Sequence, residues 1–338
     1  MLFRSVYASF WGPNWTTDPA HLQAAGRLSQ FLKDLIDSNF MNILSQYGVG
    51  FGRGSGAFIQ SSFVSNVAAI LTDDAIHGII QTGISLGLWP DMQNTQACVM
   101  VFLDETIGID DQSLGLVLCE PSGDTAFGYH NYFTTTQGNP FYYAMIPYLS
   151  DGCLTESCGA GNDFGCSLHL YQPQLDRQTQ VASHEFAEMT TDPELNAWYD
   201  QNNGEIGDIC NGETDYIIVG PNTWAVQPIY DKYQDANTNG VIYCTAQVDS
   251  AEPAVSGGPL SRTSAAAAAR MRDMASWDRY LPLPAMHMDA KAKTATLDNQ
   301  SVQDFVRKAF YPMTPGRFVS DFPGLLHKLA DGIAAAKL

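Results

Sequence analysis

Apolar and polar positions along this chain fall into alternating strand-like and helix-like runs. Residues 6–11 form a short apolar run stopped by Gly12-Pro13, which reads as a strand. A helix follows. Thr17 or Asp18 stands at its cap, Pro19 in its first turn, and Leu22, Leu28, Phe31, Leu32, Leu35 and Ile36 recur at helical spacing up to Asp37. Residues 40–47 read as a second helical stretch ending at Gly48. The glycine-rich run 48–56 lacks the G-K-[ST] of a phosphate loop and follows a helix rather than a strand, so it reads as a turn into a strand at 57–64. Residues 73–88 are the next helix, capped by Thr72 or Asp73 and stopped before Pro90. Residues 97–103 are continuously apolar, the pattern of a strand buried on both faces. Shorter strand patterns follow at 114–119, 126–133 and 142–148, then a cysteine-rich loop, then a long helix at about 175–191.

Beyond that helix, residues 216–219, 225–230 and 241–244 read as strands. The turn D-A-N-T-N-G before the last of them opens like a calcium loop, but Ala246 stands at the twelfth position, where a bidentate Glu is required. This order predicts an α/β or α+β fold: a mixed β-sheet with packed helices and one long central helix. The character changes near residue 250. The expected organisation is a body at 1–250, a linker at 251–262 and a helical C-terminal segment at 263–338, with helices at 264–277, 301–310 and 322–335.

Charge sharpens the division. The net charge is −19, yet residues 1–250 hold 6 Lys and Arg against 28 Asp and Glu, while residues 251–338 hold 11 against 8. So acidic a body disfavours nucleic acid and suits cations or plain solubility. No apolar run is long enough to span a membrane, and the first fifteen residues lack the pattern of a signal peptide. Seven cysteines include Cys153, Cys158 and Cys166 in one glycine-rich loop, a density that points to disulfides and an oxidising compartment. The odd count leaves one thiol over, and Cys98 inside the apolar run 97–103 is the candidate.

The chemistry gathers in the long helix. His184, Glu185 and Glu188 form an H-E-x-x-E pattern, in which residues four apart share a face. It is the H-E-x-x-H zinc helix with its second His replaced by Glu. A catalytic zinc takes three protein ligands and leaves one open position. His184 and Glu188 supply two, and Glu185 stands as general base. Pro193 ends the helix, and Asp192, Glu194, Glu205 and Asp208 are the candidates for the third ligand, Glu205 and Asp208 being better placed for a returning chain. Zn²⁺ is the expected ion, although one imidazole and two carboxylates make a harder site than the usual two-His set and one more tolerant of Ca²⁺ or Mn²⁺. The region has almost no Lys or Arg, so a cation is the simplest partner for buried carboxylates. His130, in the aromatic stretch F-G-Y-H-N-Y-F, is a further candidate as ligand or oxyanion donor, and Tyr199 as oxyanion stabiliser. His169 is an ordinary strand histidine on this pattern.

S-H-E-F-A-E-M-T-T-D-P, N-A-W-Y-D, G-E-I-G-D-I-C and V-Q-P-I-Y, together with F-W-G-P-N-W, S-Q-Y-G-V-G and G-Y-H-N-Y-F upstream, resemble a family of secreted bacterial and fungal zincin-like metallopeptidases. That family is distantly similar to plant phosphate-induced, exordium-type proteins. The resemblance spans residues 5–244 and not 251–338. It implies a zincin-like fold, export, a peptide or protein substrate, metal binding through His184 and Glu188 with Glu185 as base, and pairing of Cys210 with Cys244. The alternative expectation is a secreted, non-catalytic binding or surface protein with a structural cation in the same place.

Overall fold

The computed structural model describes residues 5–49, 56–91, 97–119, 126–151, 153, 172–200, 204–235, 242–249 and 283–297. In chain order the first elements are β1 (Ser5–Trp11), α1 (Asn14–Thr17), α2 (Pro19–Ile36) and α3 (Phe40–Ile43). Asp18 caps α2 by accepting from the Ala20 N–H, and Pro19 fills the position whose N–H has no helical partner. The expected second helix tightens over its last four residues into a 3-10 turn, Leu44–Tyr47, and ends at the left-handed Gly48.

Next come β2 (Ala57–Ser65), β3 (Ile70–Leu71) and α4 (Asp73–Ser85). Thr72 caps α4 through the Ala75 N–H, and Asp73 and Asp74 meet the positive end of its dipole. The helix stops short of the expected Leu88 because the chain turns at Gly87 (φ 79°), where the Leu88 N–H closes on the Gly83 carbonyl. The strands β4 (Ala97–Leu103), β5 (Gly108–Asp111), β6 (Leu116–Leu118), β7 (Tyr129–Thr134) and β8 (Pro140–Ile146) lead to α5 (Gln174–Thr191). After it lie β9 (Asp215–Val219), β10 (Asn222–Val226), β11 (Ile229–Tyr230), α6 (Lys232–Asp235), β12 (Cys244–Thr245), β13 (Leu283–Asp289) and β14 (Thr294–Leu297). The single strand expected at 225–230 is split at Pro228, which has no N–H to donate to a ladder.

The fold is mixed α/β. One seven-stranded sheet runs β14-β13-β2-β1-β4-β8-β7. Its inner pairings are parallel, and β7 and β14 join it antiparallel at the two ends. Every residue of β4 is buried, as its unbroken apolar run requires. Side chains of β7 and β8 alternate between two faces. Tyr129, Asn131 and Tyr143 reach Asp73 at the start of α4, while His130 and Tyr142 reach α5 and the turn after it.

Residues 283–297 lie within the segment expected to be helical, and the structure corrects that expectation. They form the hairpin β13–β14, and β13 pairs in parallel with β2, extending the sheet of the preceding body. The expected linker and the three expected C-terminal helices lie outside the described residues, as do most of the glycine-rich run 48–56, the D-A-N-T-N-G turn after Asp235, Cys158, Cys166 and His169. Two disulfides are present among the described residues, Cys119–Cys153 and Cys210–Cys244, and Cys98 is a free, buried thiol in β4. These bridges fit an oxidising compartment. No described helix is long and apolar enough to cross a membrane.

Candidate metal centre

Helix α5 is buried along nearly its whole length, because elements cover it from two sides. Toward the sheet, Arg177 and Gln178 donate to the carbonyls of Leu149 and Pro147, just beyond β8. On the other side the β9–β10 hairpin is tied down: Thr179 Oγ1 donates to the Ala225 carbonyl, and the Gln227 N–H donates to Ser183 Oγ. The helix ends where Pro193 demands it. The Asp192 carboxylate then accepts from the N–H groups of Asn196 and Ala197 and shapes the exit turn.

The returning loop 204–210 lies directly on the last turns of α5. The Tyr230 N–H donates to the Ile206 carbonyl and Gln227 Nε2 to the Gly207 carbonyl, while the Cys210–Cys244 bridge fastens the loop's end. Gly207 permits this contact: a Cβ there would lie 2.8 Å from Glu188 Oε1 and 2.9 Å from the His184 ring. The N–H groups of Gly207 and Asp208 donate to Glu188 Oε1 at 3.0 and 3.1 Å. Glu188 Oε2 is thereby turned toward His184, 2.9 Å from Nε2. Asp208 Oδ1 stands 3.8 Å from the same nitrogen. His184, Glu188 and Asp208 thus form one group of potential ligands.

A second group adjoins it. His130 on β7 is buried, with Nδ1 3.5 Å from Glu185 Oε2 and 3.9 Å from Glu188 Oε2. His130, Glu185 and Glu188 form that group. The other ring nitrogen, Nε2, donates to the Asp192 carbonyl at 3.2 Å and lies 3.8 Å from Glu205 Oε1. Gly128 leaves room for Glu185, since a Cβ there would lie 2.9 Å from its Oε1.

Four carboxylates and two imidazoles, of which Asp208 alone is exposed, perturb one another. Burial drives Glu185 above the usual carboxylate range, and burial with the charge of Glu188 pushes Glu205 up to about 8. Burial and Glu188 raise Asp208 as well. Glu188 is the exception: burial opposes its charge, but His184, His130 and the Asp208 N–H hold it below the ordinary value. Burial likewise opposes charge on His130, but Glu185, Glu205 and Glu188 outweigh it and bring its pKa up to about 9. His184 is raised against burial by Glu188 first.

The donor set fits a divalent cation. Glu185 Oε2 and Glu205 Oε1 are buried acceptors with no hydrogen-bond partner, a costly condition for carboxylates that a cation relieves. Arg177 is engaged with Asp151 and Leu149, and Lys232 lies over the Tyr47 ring.

Of the residues expected in the site, His184, Glu185, Glu188, Asp208, Glu205 and His130 come together. Glu205 meets His130 rather than His184. Glu194 is taken by the Tyr142 hydroxyl. Tyr199 is 63% exposed and makes none of the cluster's contacts, and Trp198 packs on Tyr47 and Tyr230. Beyond the expected residues, the Asp192 carbonyl and the cradling glycines Gly128 and Gly207 belong to the site. The glycines flanking the acidic residues of G-E-I-G-D were a signal for the latter. No family model matches the chain, and comparison with curated proteins and with solved structures finds no match.

Proposed function

We propose that this protein is an exported, zinc-type metallohydrolase acting on peptides. The observation that carries this reading is the convergence of His184 Nε2, Glu188 Oε2 and Asp208 Oδ1 beside a buried Glu185 carboxylate with an unfilled acceptor. His184, Glu188 and Asp208 would hold the ion. When bound there, zinc supplies a Lewis acid for a scissile carbonyl and lowers the pKa of water. Glu185 takes the proton from the attacking water and returns it to the leaving amine. His130 stands beside the Glu185 carboxylate, its Nδ1 3.5 Å from Oε2. Zincin-like architecture is part of this proposal, as is export, which the two disulfides support.

A peptide is the favoured substrate because β7 ends the sheet and carries His130. An edge strand offers backbone donors and acceptors to an extended chain, which suits a peptide bond laid beside the site. Tyr199 is left without a role.

The test combines metal analysis with Glu185→Gln. The expected outcome is at least one stoichiometric ion in both proteins and hydrolysis of a peptide library slowed at least about 100-fold by the substitution. A purified chain with no stoichiometric ion ends the reading. Equal hydrolysis by both proteins removes its catalytic half. The second reading, a binding protein with a structural cation, is favoured by the depth of His184, whose ring lies under Gly207. A chelator that lowers the melting temperature of a chain without hydrolytic activity would select it.

A further inference from the structure

We propose a second divalent-cation site beside the first, formed by His130, Glu185 and the shared Glu188. Ligands 2.0–2.2 Å from one ion lie within about 4.4 Å of one another. The structure offers two ligand groups, each within 4.8 Å, and among the described residues no such group contains both histidines. His130 and His184 therefore serve different ions, with Glu188 between them. Glu188 Oε1 is held by two backbone N–H groups, so the carboxylate is fixed with Oε2 facing both rings, 2.9 Å from His184 and 3.9 Å from His130.

The orientation of His130 is that of a ligand. Its Nε2 faces the Asp192 carbonyl. A carbonyl only accepts, so Nε2 carries a proton, and in neutral His130 the lone pair is on Nδ1. A backbone carbonyl that fixes the tautomer of a metal-binding His is the usual support for such a ligand. That lone pair faces Glu185 Oε2 at 3.5 Å. Glu185 is only 4% exposed, and this oxygen has no hydrogen-bond partner. In a buried place Nδ1 and Oε2 require a positive charge between them, a proton in the ion-free protein and a cation when one is bound. A proton on Nδ1 would serve this pair alone, whereas a cation also engages Glu188. One imidazole with carboxylates suits Zn²⁺, Mn²⁺ or Co²⁺.

Occupancy has a consequence that rests on the hydrolase reading. An ion bound to Glu185 withdraws the lone pair that accepts the proton, so excess cation inhibits. The second site itself stands on the cluster geometry.

The experiment uses the full chain, stripped by a chelator and titrated with Zn²⁺ by calorimetry, with metal content measured after gel filtration. Two ions are expected, the second bound at least about ten-fold more weakly because a like charge stands beside it. His130→Gln is expected to bind one ion, and Glu185→Gln, which preserves side-chain volume, likewise one. Melting curves with one Zn²⁺ equivalent establish that both variants fold. With Mn²⁺, the second equivalent is expected to produce a spin-coupled paramagnetic resonance signal in the wild type and none in His130→Gln. A wild-type chain that binds only one ion overturns the proposal, as do two ions in folded His130→Gln. Two ions with no peptide cleavage would sink the hydrolase reading and leave this site standing. One ion with Glu185-dependent cleavage would do the reverse.

Discussion

Strand β7 separates two buried acidic places that behave in opposite ways. On one face is Asp73, at the start of α4. Its Oδ1 accepts from the hydroxyls of Tyr129 and Tyr143, and its Oδ2 accepts from Asn131 Nδ2 at 3.0 Å and lies 3.2 Å from His77 Nε2. Burial opposes its charge, but the bonds from His77, Tyr143 and Tyr129 outweigh it and hold Asp73 below the usual range. On the other face Glu185, Glu205 and Asp208 are all raised. Both places are acidic and buried at their centre, Asp73 on one side and Glu185 with Glu188 on the other, but they differ in donors. Asp73 is surrounded by groups that give hydrogens, whereas the α5 carboxylates chiefly face one another and two histidines. A saturated carboxylate is structural. An unsaturated cluster is where a cation belongs.

The largest expected effect tests the saturated side. Asp73→Ala strands two tyrosine hydroxyls, an amide and His77, and should cost about 3–5 kcal/mol in chemical denaturation. Zn²⁺ affinity measured on the same folded variant should stay within about three-fold of wild type. If it collapses, the two faces of β7 are not independent. Chelation tests the other side. Holding Zn²⁺ at a hundred times its dissociation constant stabilises a one-site protein by about 2.7 kcal/mol, so a chelator should lower wild-type stability by roughly that amount. A chelator-insensitive melt would erase the contrast.

The smallest effect is in pH. Asp73, depressed in the fold, contributes stability that is present above its unfolded pKa and lost as pH falls through its folded value. The ion-free cluster has the opposite sign. Glu205, raised to about 8, and His130, raised to about 9, retain protons in the fold that the unfolded chain has released. Their contribution is present at mildly acidic pH and lost as pH rises through those values. Chelated protein should therefore melt higher near pH 6 than near pH 9, while cation affinity should rise with pH as ligands lose protons. Thermal melts with and without chelator across that range check both trends.

Local features were legible in the sequence, and distant ones were not. The Asp18-Pro19 start of α2, the Thr72 cap of α4 and the Pro193 stop of α5 depend on neighbours within four residues. The H-E-x-x-E pattern and the nearby Asp208 were visible for the same reason, since helix periodicity and a short return loop bring them together. Asp73 looked like an ordinary cap residue, because the hydroxyls that saturate it come from strands some sixty residues on. His130 was a candidate without a partner until β7 was set against α5. The pairing of β13 with β2 had no local signal at all: a parallel partner is chosen across a long crossover, and L-P-A-M-H-M-D contains a Pro that argues against a central strand.

That pairing also sets a timetable. β2 ends at Ser65 and β13 begins at Leu283, so about 220 residues must be synthesised between them. At about 5–20 residues per second, the edge of β2 waits roughly 10–40 s on the ribosome before its neighbour exists. During that interval an apolar strand with open backbone groups is exposed to any other extended chain, and its protection depends on the speed of translation and on the chaperones present.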